Sequence, residues 1–167
     1  MQIFLIEGES GVGKTTLVNK LKERHPGKYN EIVSYTTRSP RTTDETGHIF
    51  VTVEEMIEHS IDHKIVASTK INNEFYCAFE DQFSESKPNI YIVDDLGIMD
   101  IINFFLHSEM ENVQVYAMRI KRTKPFPTVD EDRRSRYHSI LPDDFIALNV
   151  FQDPSVDELI NFIEKKC

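Results

Sequence analysis

The octet Gly8-Glu9-Ser10-Gly11-Val12-Gly13-Lys14-Thr15 has the spacing Gly-x-x-x-x-Gly-Lys-Ser/Thr. Every residue type in it has a use toward phosphate. Glycines let successive backbone N–H groups turn inward around phosphate oxygens. The lysine reaches β- and γ-phosphates, and the hydroxyl after it can ligate Mg²⁺. A helix that starts here aims its positive end at the same anion. The octet follows an apolar run, Ile3-Phe4-Leu5-Ile6, and precedes a helix-compatible stretch ending near Arg24. Strand, glycine loop and helix in that order predict a triphosphate-binding loop, or P-loop, from Gly8 to Thr15, with Thr16 behind it.

A second set of residues suits a second phosphate. Arg38 and Arg41 stand three apart and are braced by Pro40. Each guanidinium can offer a two-pronged fork to one phosphate. The hydroxyls of Ser34 and Tyr76 can donate to the same group. A buried-strand pattern, Ile90-Tyr91-Ile92-Val93, ends in Asp94 and Asp95. A carboxylate at the carboxyl edge of a parallel sheet can hold Mg²⁺ or orient an acceptor phosphate. Asp94 is the residue expected there, and Asp95 the better candidate to cap the helix that follows. A third group, Arg119, Lys121, Arg122, Lys124, Arg133, Arg134 and Arg136, crowds one stretch of an otherwise acidic chain. It suits a small polyanion, with solvated surface charge as the plain alternative.

The elements that must carry these residues alternate between strand and helix, which predicts an α/β fold with a mostly parallel sheet. The expected order is strand 2–7, helix 14–24 and strand 31–35, then a polar loop from 36 to 47. A helix from 52 or 53 to about 63 is followed by strands 64–70 and 74–77, joined by Asn72-Asn73. Then come a short helix over 79–86, strand 89–94, helix 96–107, strand 112–119 and helix 129–139. A strand over 145–149 and a helix over 155–166 close the chain. With 167 residues, one domain with a real core is expected. Nineteen basic and 28 acidic residues give a net charge of −9, which argues against a nucleic-acid-binding surface. No apolar run is long enough to span a bilayer, no leader peptide is recognisable, and two cysteines do not make a disulfide framework. A cytoplasmic protein is expected.

The segment Ser34-Tyr35-Thr36-Thr37-Arg38-Ser39-Pro40-Arg41 resembles the Ser-x-Thr-Thr-Arg-x-Pro-Arg segment of guanylate kinases. The resemblance continues through Gly47, Phe50-Val51, Glu54-Glu55, Phe75-Tyr76, Ile92-Val93-Asp94, Asp130-Glu131-Asp132 with Arg136, and Phe145 to Asn149. It implies a P-loop NTPase three-layer fold in one kinase domain. The core would be 1–33, 88–120 and 140–167, the acceptor-binding subdomain about 34–87, and the lid about 121–139. It implies ATP with Mg²⁺ as donor and a nucleoside monophosphate as acceptor, without stable nucleic-acid or membrane partners, in a monomer or homodimer. Ser34, Arg38, Arg41, His48, Tyr76 and Asp94 would bind the acceptor. Asn149 would lie near adenine, Thr15 and Asp94 on the metal. The arginines after Met118 would belong to the lid. Among them Arg122, Arg133 and Arg136, with Arg134 as rival, would join Lys14 and Arg38 in offsetting charge on the transferred phosphoryl.

The departures concern the base. The family reads guanine with two carboxylates, and the corresponding positions here hold Ala67 and Leu96. His48 is the nearest substitute for a tyrosine expected after Gly47, and Cys77 replaces a glycine. Ser68, Asn72 and Asn73 could offer neutral contacts to a different base. The stretch between Arg119 and Val129 is too short for the extra helix that the family usually has there. The leading expectation is therefore a nucleoside monophosphate kinase acting on GMP, dGMP or another nucleotide. A P-loop kinase of another phosphate ester, such as a sugar phosphate, and a non-catalytic guanylate-kinase-like binding module are the alternatives.

Overall fold

The computed structural model describes residues 1–124, 139–145 and 148–167. Two sheets organise them. The first has five parallel strands in the order β2 (Asn30–Ile32), β7 (Asn89–Ile92), β1 (Gln2–Glu7), β8 (Gln114–Lys121) and β9 (Leu148–Gln152). The second has four short strands in the order β4 (Ile49–Phe50), β3 (Tyr35–Thr36), β6 (Glu74–Phe79) and β5 (Ile65–Ile71). The helices are α1 (Lys14–Arg24), α2 (Val53–Asp62), α3 (Asp95–Leu106) and α4 (Val156–Lys166).

Central β1 explains the layering. Side chains alternate across a strand, so Phe4 and Ile6 enter one core while Ile3 and Leu5 enter another. The first core packs against Leu17, Val18 and Leu21 of α1 and Leu159, Ile160 and Ile163 of α4. The second takes Ile98, Ile101 and Phe105 of α3, and also Val66, Ala67 and Ala78 of the small sheet. Helices on both faces of a parallel sheet make the three-layer α/β architecture. Met56 of α2 packs on Cys77 and Phe79 in a third, smaller core.

Helix starts follow local chemistry. Thr52 and Glu55 form a reciprocal capping box at α2, and Ser155 caps α4 through the Glu158 N–H. The β5–β6 hairpin turns on Asn72 and Asn73, at φ 51° and 66°. Asparagine tolerates that left-handed backbone, which two-residue hairpins require. The pair thus has a turn-forming reason to be there, independent of any base contact.

Several boundaries differ from expectation. The strand expected over 31–35 is divided between the two sheets, because Val33 and Ser34 carry the chain across, and the Val33 carbonyl accepts from Gln82 at 2.7 Å. The helix expected over 79–86 is only a 3-10 turn, Glu80–Gln82, since Phe79 still belongs to β6 and the Ser84 N–H is taken by the Asn89 side chain. The final strand begins at Leu148, because Phe145 closes a turn onto the Pro142 carbonyl at 3.1 Å. The helix expected over 129–139 lies almost wholly outside the described residues.

Candidate functional site

Parallel pairing of β1 with β7 and β8 brings their carboxyl ends to one edge of the sheet. Ile6 is in register with Ile92, and Glu7 with Arg119. The loop Gly8 to Gly13 therefore leaves the sheet beside Asp94, where open α/β sheets bind ligands. Gly8 sits at φ 144°, and a Cβ there would stand 2.5 Å from the Ile120 carbonyl oxygen. Gly13 holds the N-cap position of α1 in the left-handed region, at φ 101°. No side chain caps α1, and its first turn has no acidic residue. The other three described helices have both. A helix start without a capping side chain or an acidic first turn suits an external anion. Lys14 arches over the loop, its Nζ donating to the carbonyls of Gly8 and of Glu9, the latter at 2.8 Å. Glu9, Ser10 and Gly11 form the arch beneath it, with Thr15 and Thr16 exposed on the first helical turn. The Val12 side chain is buried in the core, so only its backbone can serve the loop. A side chain at Gly8 would press on the β8 backbone, so only glycine lets the loop lie this close to the sheet, and a loop of this kind suits a phosphate.

Arg122 reaches the same loop from the far side of the chain. Its Nε donates to the Val12 carbonyl at 2.8 Å, and Nη2 to the Pro154 carbonyl at 2.9 Å. Arg133, Arg134 and Arg136 lie outside the described residues. Arg119 does not belong with a lid: it is 1% exposed on β8. Its guanidinium donates to Glu7 at 2.6 Å, Asp95 at 2.8 Å and Asp143 at 2.9 Å. Burial alone would lower its pKa. The hydrogen bonds to Glu7 and Asp143 outweigh that and raise it. Asn149, on edge strand β9, spends its side-chain N–H on the Ala117 carbonyl at 3.0 Å.

Of the two carboxylates after β7, the cap of the next helix is Asp94 and not Asp95 as expected. Asp94 is the N-cap of α3, its Oδ1 accepting from Gly97 N at 2.8 Å and from the Thr69 hydroxyl at 3.0 Å. Asp95 is buried in the first turn, where Oδ2 accepts from the Ile140 and Leu141 N–H groups and the Ser139 hydroxyl. Asp94 leaves the strand in extended backbone, as a cap must, while Asp95 is already helical and turns toward Arg119. With Oδ1 committed, it is Oδ2 of Asp94 that could face metal or substrate.

Of the residues expected to bind an acceptor, Arg38, Arg41, His48 and Tyr76 lie in one neighbourhood. The Thr37 hydroxyl donates to Glu74 and accepts from Phe75 N, which fastens the loop start to β6. Arg38 then lies over the Phe50 ring at 5.2 Å, and its Nε donates to the Tyr76 hydroxyl at 3.2 Å. Its other two nitrogens grip one carboxylate, that of Glu45, at 2.8 and 3.1 Å. Arg41 meets the same carboxylate through its backbone N–H at 2.5 Å and its guanidinium at 3.4 Å. Hydrogen bonding by Arg38, then by the Arg41 backbone, holds the Glu45 pKa down at about 2. His48 packs edge-on against Tyr76, and its buried Nδ1 has no hydrogen-bond partner among the described residues. Burial, then Arg38, pushes its pKa down, so the ring is neutral at pH 7. Ser34 is not brought to the fork: its hydroxyl pairs with that of Tyr91 at 2.7 Å. Burial pushes the Tyr91 pKa up to about 12, so the phenol stays protonated.

Glu45 and Tyr91 are the residues that sequence reasoning missed. The i,i+4 spacing of Arg41 and Glu45 was a signal, but in a loop that spacing does not imply contact. Tyr91 read as strand core, and only its pairing with Ser34 reveals a polar end. At the position of the first base-reading carboxylate, Ala67 is buried opposite Ala78 on the neighbouring strand. Leu96, at the second, is half exposed.

Comparison with known proteins agrees with this geometry. The family model described as guanylate kinase matches residues 1–101. The guanylate kinase of Synechocystis is 33% identical over 110 residues, covering 62% of this chain and 57% of its own length. That of Schizosaccharomyces pombe is 31% identical over 103 residues, 58% of this chain and 51% of its own. That of Thermosynechococcus vestitus reaches 50% identity over 56 residues, only 29% of its length. The chain thus spans less than two thirds of these curated relatives. A crystal structure of guanylate kinase from Anaplasma phagocytophilum superposes with a TM-score of 0.65 at 20% identity, covering 98% of this chain and 82% of that one. P-loop, arginine fork and family model all fall in the same N-terminal part, and this chain belongs to the guanylate kinase family.

Proposed function

We propose that this chain transfers the γ-phosphoryl group of ATP to the phosphate of a nucleoside monophosphate. The observation that carries the reading is the Glu45 carboxylate seated between Arg38 and Arg41. A fork that closes on one oxyanion is built to take another, and the same chain has an uncapped P-loop helix for the donor.

In the reaction an acceptor phosphate oxygen attacks the γ-phosphorus. The bond from that phosphorus to the β-bridging oxygen breaks, and ADP leaves. No covalent enzyme intermediate is required, so the residues act by position and charge. Arg38, Arg41 and Tyr76 would orient the acceptor phosphate. The backbone from Gly8 to Gly13 and the start of α1 would hold the donor phosphates. Lys14 would leave the loop carbonyls for the β- and γ-phosphates, and Arg122 would join it from beside Val12. The Thr15 hydroxyl, with Asp94 in support, would hold Mg²⁺, whose charge would offset that of the donor phosphates.

The base pocket supports a weak preference for guanine. Ala67, Ala78 and Leu96 have no side-chain acceptors for its N–H groups, so a bond that a guanine-specific site depends on is missing. The test is turnover of all common ribo- and deoxyribonucleoside monophosphates, and of sugar phosphates, with ATP and Mg²⁺ and coupled detection of ADP. Turnover of nucleotides, with GMP favoured little over other bases, is expected. Turnover of sugar phosphates alone, or ATP binding with no turnover, would overturn the proposal.

A further inference from the structure

Away from the P-loop and the arginine fork, three side chains of metal-ligating type converge. His59 lies in the last turn of α2, His63 is its C-cap, and Asp81 sits in the 3-10 turn after β6. One ligand atom from each lies within 4.8 Å of the other two. His59 Nε2 is 3.4 Å and His63 Nε2 3.9 Å from the same Asp81 oxygen. The i,i+4 spacing puts both imidazoles on one helix face, an arrangement that can chelate one ion.

The geometry of His59 calls for more than an ion pair. Its Nε2 is buried and makes no hydrogen bond among the described residues, although Asp81 is near. The ring cannot easily turn to find another partner. It stacks on Tyr35 at 4.8 Å, meets the edge of Phe79 at 4.5 Å and lies 4.5 Å from the His63 ring. A buried polar atom without a partner is costly, and a metal bond would satisfy it.

We propose that His59, His63 and Asp81 form a binding site for a zinc-class divalent ion, separate from the Mg²⁺ of phosphoryl transfer. Two imidazoles and one carboxylate suit Zn²⁺, Co²⁺ or Ni²⁺, whereas Mg²⁺ and Ca²⁺ prefer all-oxygen sets. Tetrahedral bonds of about 2.0–2.1 Å put ligand atoms roughly 3.3 Å apart. The His59–Asp81 spacing is already 3.4 Å, and the remaining closure is small. His63 and Asp81 side chains are 36% and 33% exposed, which gives the ion a path in and a place for water as fourth ligand. The bound ion would clip α2 to the end of β6 and brace Tyr35, three residues before Arg38.

The test uses the full chain stripped of metal with a chelator, then titrated with Zn²⁺ or Co²⁺. One equivalent is expected to bind, with the visible absorption of tetrahedral Co²⁺ and a rise in Tm that millimolar Mg²⁺ does not reproduce. H63A and D81N should each weaken binding at least about tenfold while keeping the metal-free Tm. H63Q serves if H63A lowers that Tm. Absence of saturable binding, or equal affinity in the variants, would overturn the proposal. Neither result bears on the kinase reading, which rests on other residues.

Discussion

Lys14 and Asp94 show how a single atom decides a residue's part. Lys14 donates to two loop carbonyls, and in the proposed reaction it would turn to the donor phosphates. Lys14→Ala is expected to lower kcat by roughly 10²–10³-fold, the usual loss for one preorganised charge at the reacting centre. Steady-state kinetics with saturating ATP would check it, and full activity in the variant would sink the mechanism. Asp94 carries two duties, cap and candidate metal ligand, which substitutions can separate. Asparagine caps as well as aspartate, whereas alanine costs about 1 kcal/mol. Asp94→Asn should therefore keep the wild-type melting temperature while lowering kcat and weakening the Mg²⁺ dependence. Asp94→Ala should lose both. If Asp94→Asn is fully active at limiting Mg²⁺, the residue is only a cap.

The loop from Thr37 to His48 behaves as an element without regular structure, closed by one carboxylate. Two guanidiniums on one short segment repel each other, and Glu45 holds them converging. Glu45→Gln is expected to lower the acceptor KM several-fold, because the carboxylate sits where the acceptor phosphate would, with little change in ATP KM. An acceptor KM that rises instead would mean that the carboxylate only holds the fork in shape. The acid dependence follows from its pKa, lowered from 4.5 to about 2 in the folded chain. A lowered carboxylate contributes stability that is present above the unfolded value and lost as pH falls through the folded one. The loop should thus keep its hydrogen-exchange protection down to about pH 4.5 and lose it toward pH 2. The Glu45→Gln variant should show no such step. A loss near neutral pH in wild type would contradict the assignment.

At the scale of the whole molecule, Arg119 ties together segments far apart in sequence. Glu7 ends β1, Asp95 opens α3, and Leu141 and Asp143 lie shortly before β9. A buried cation with three carboxylates is stable only as a set. Removing it leaves buried charge uncompensated at a cost of about 3–5 kcal/mol. Arg119→Met is expected to lose that much in urea unfolding, as a lower midpoint with similar slope. A near-wild-type midpoint would mean that water reaches the carboxylates. Gly8→Ala should be similarly damaging for a different reason, since both φ and the Ile120 carbonyl oppose a side chain.

The residues proposed to touch phosphate were legible in the sequence because their chemistry is local. Gly8 to Thr15 is one continuous loop, and Arg38 and Arg41 sit within one turn of chain. The apolar run of Gln2–Glu7 and the helix from Val53 were readable for the same reason: run length and period act over a few residues. What sequence could not supply was partnership. Asp94 and Asp95 are adjacent and chemically equal, and only the direction in which β7 enters α3 makes one a cap and the other the partner of Arg119. Arg119 looked like one of a cluster of surface cations until β8 placed it in the middle of a sheet. Ser34 turned to Tyr91, 57 positions away, rather than to Arg38. His59 and His63 meet Asp81 only because β5 and β6 fold the chain back between them. Local sequence determined which residues are of the types that suit phosphate. Tertiary structure decided which charges are free to meet it, because burial and pairing are properties of neighbours in space.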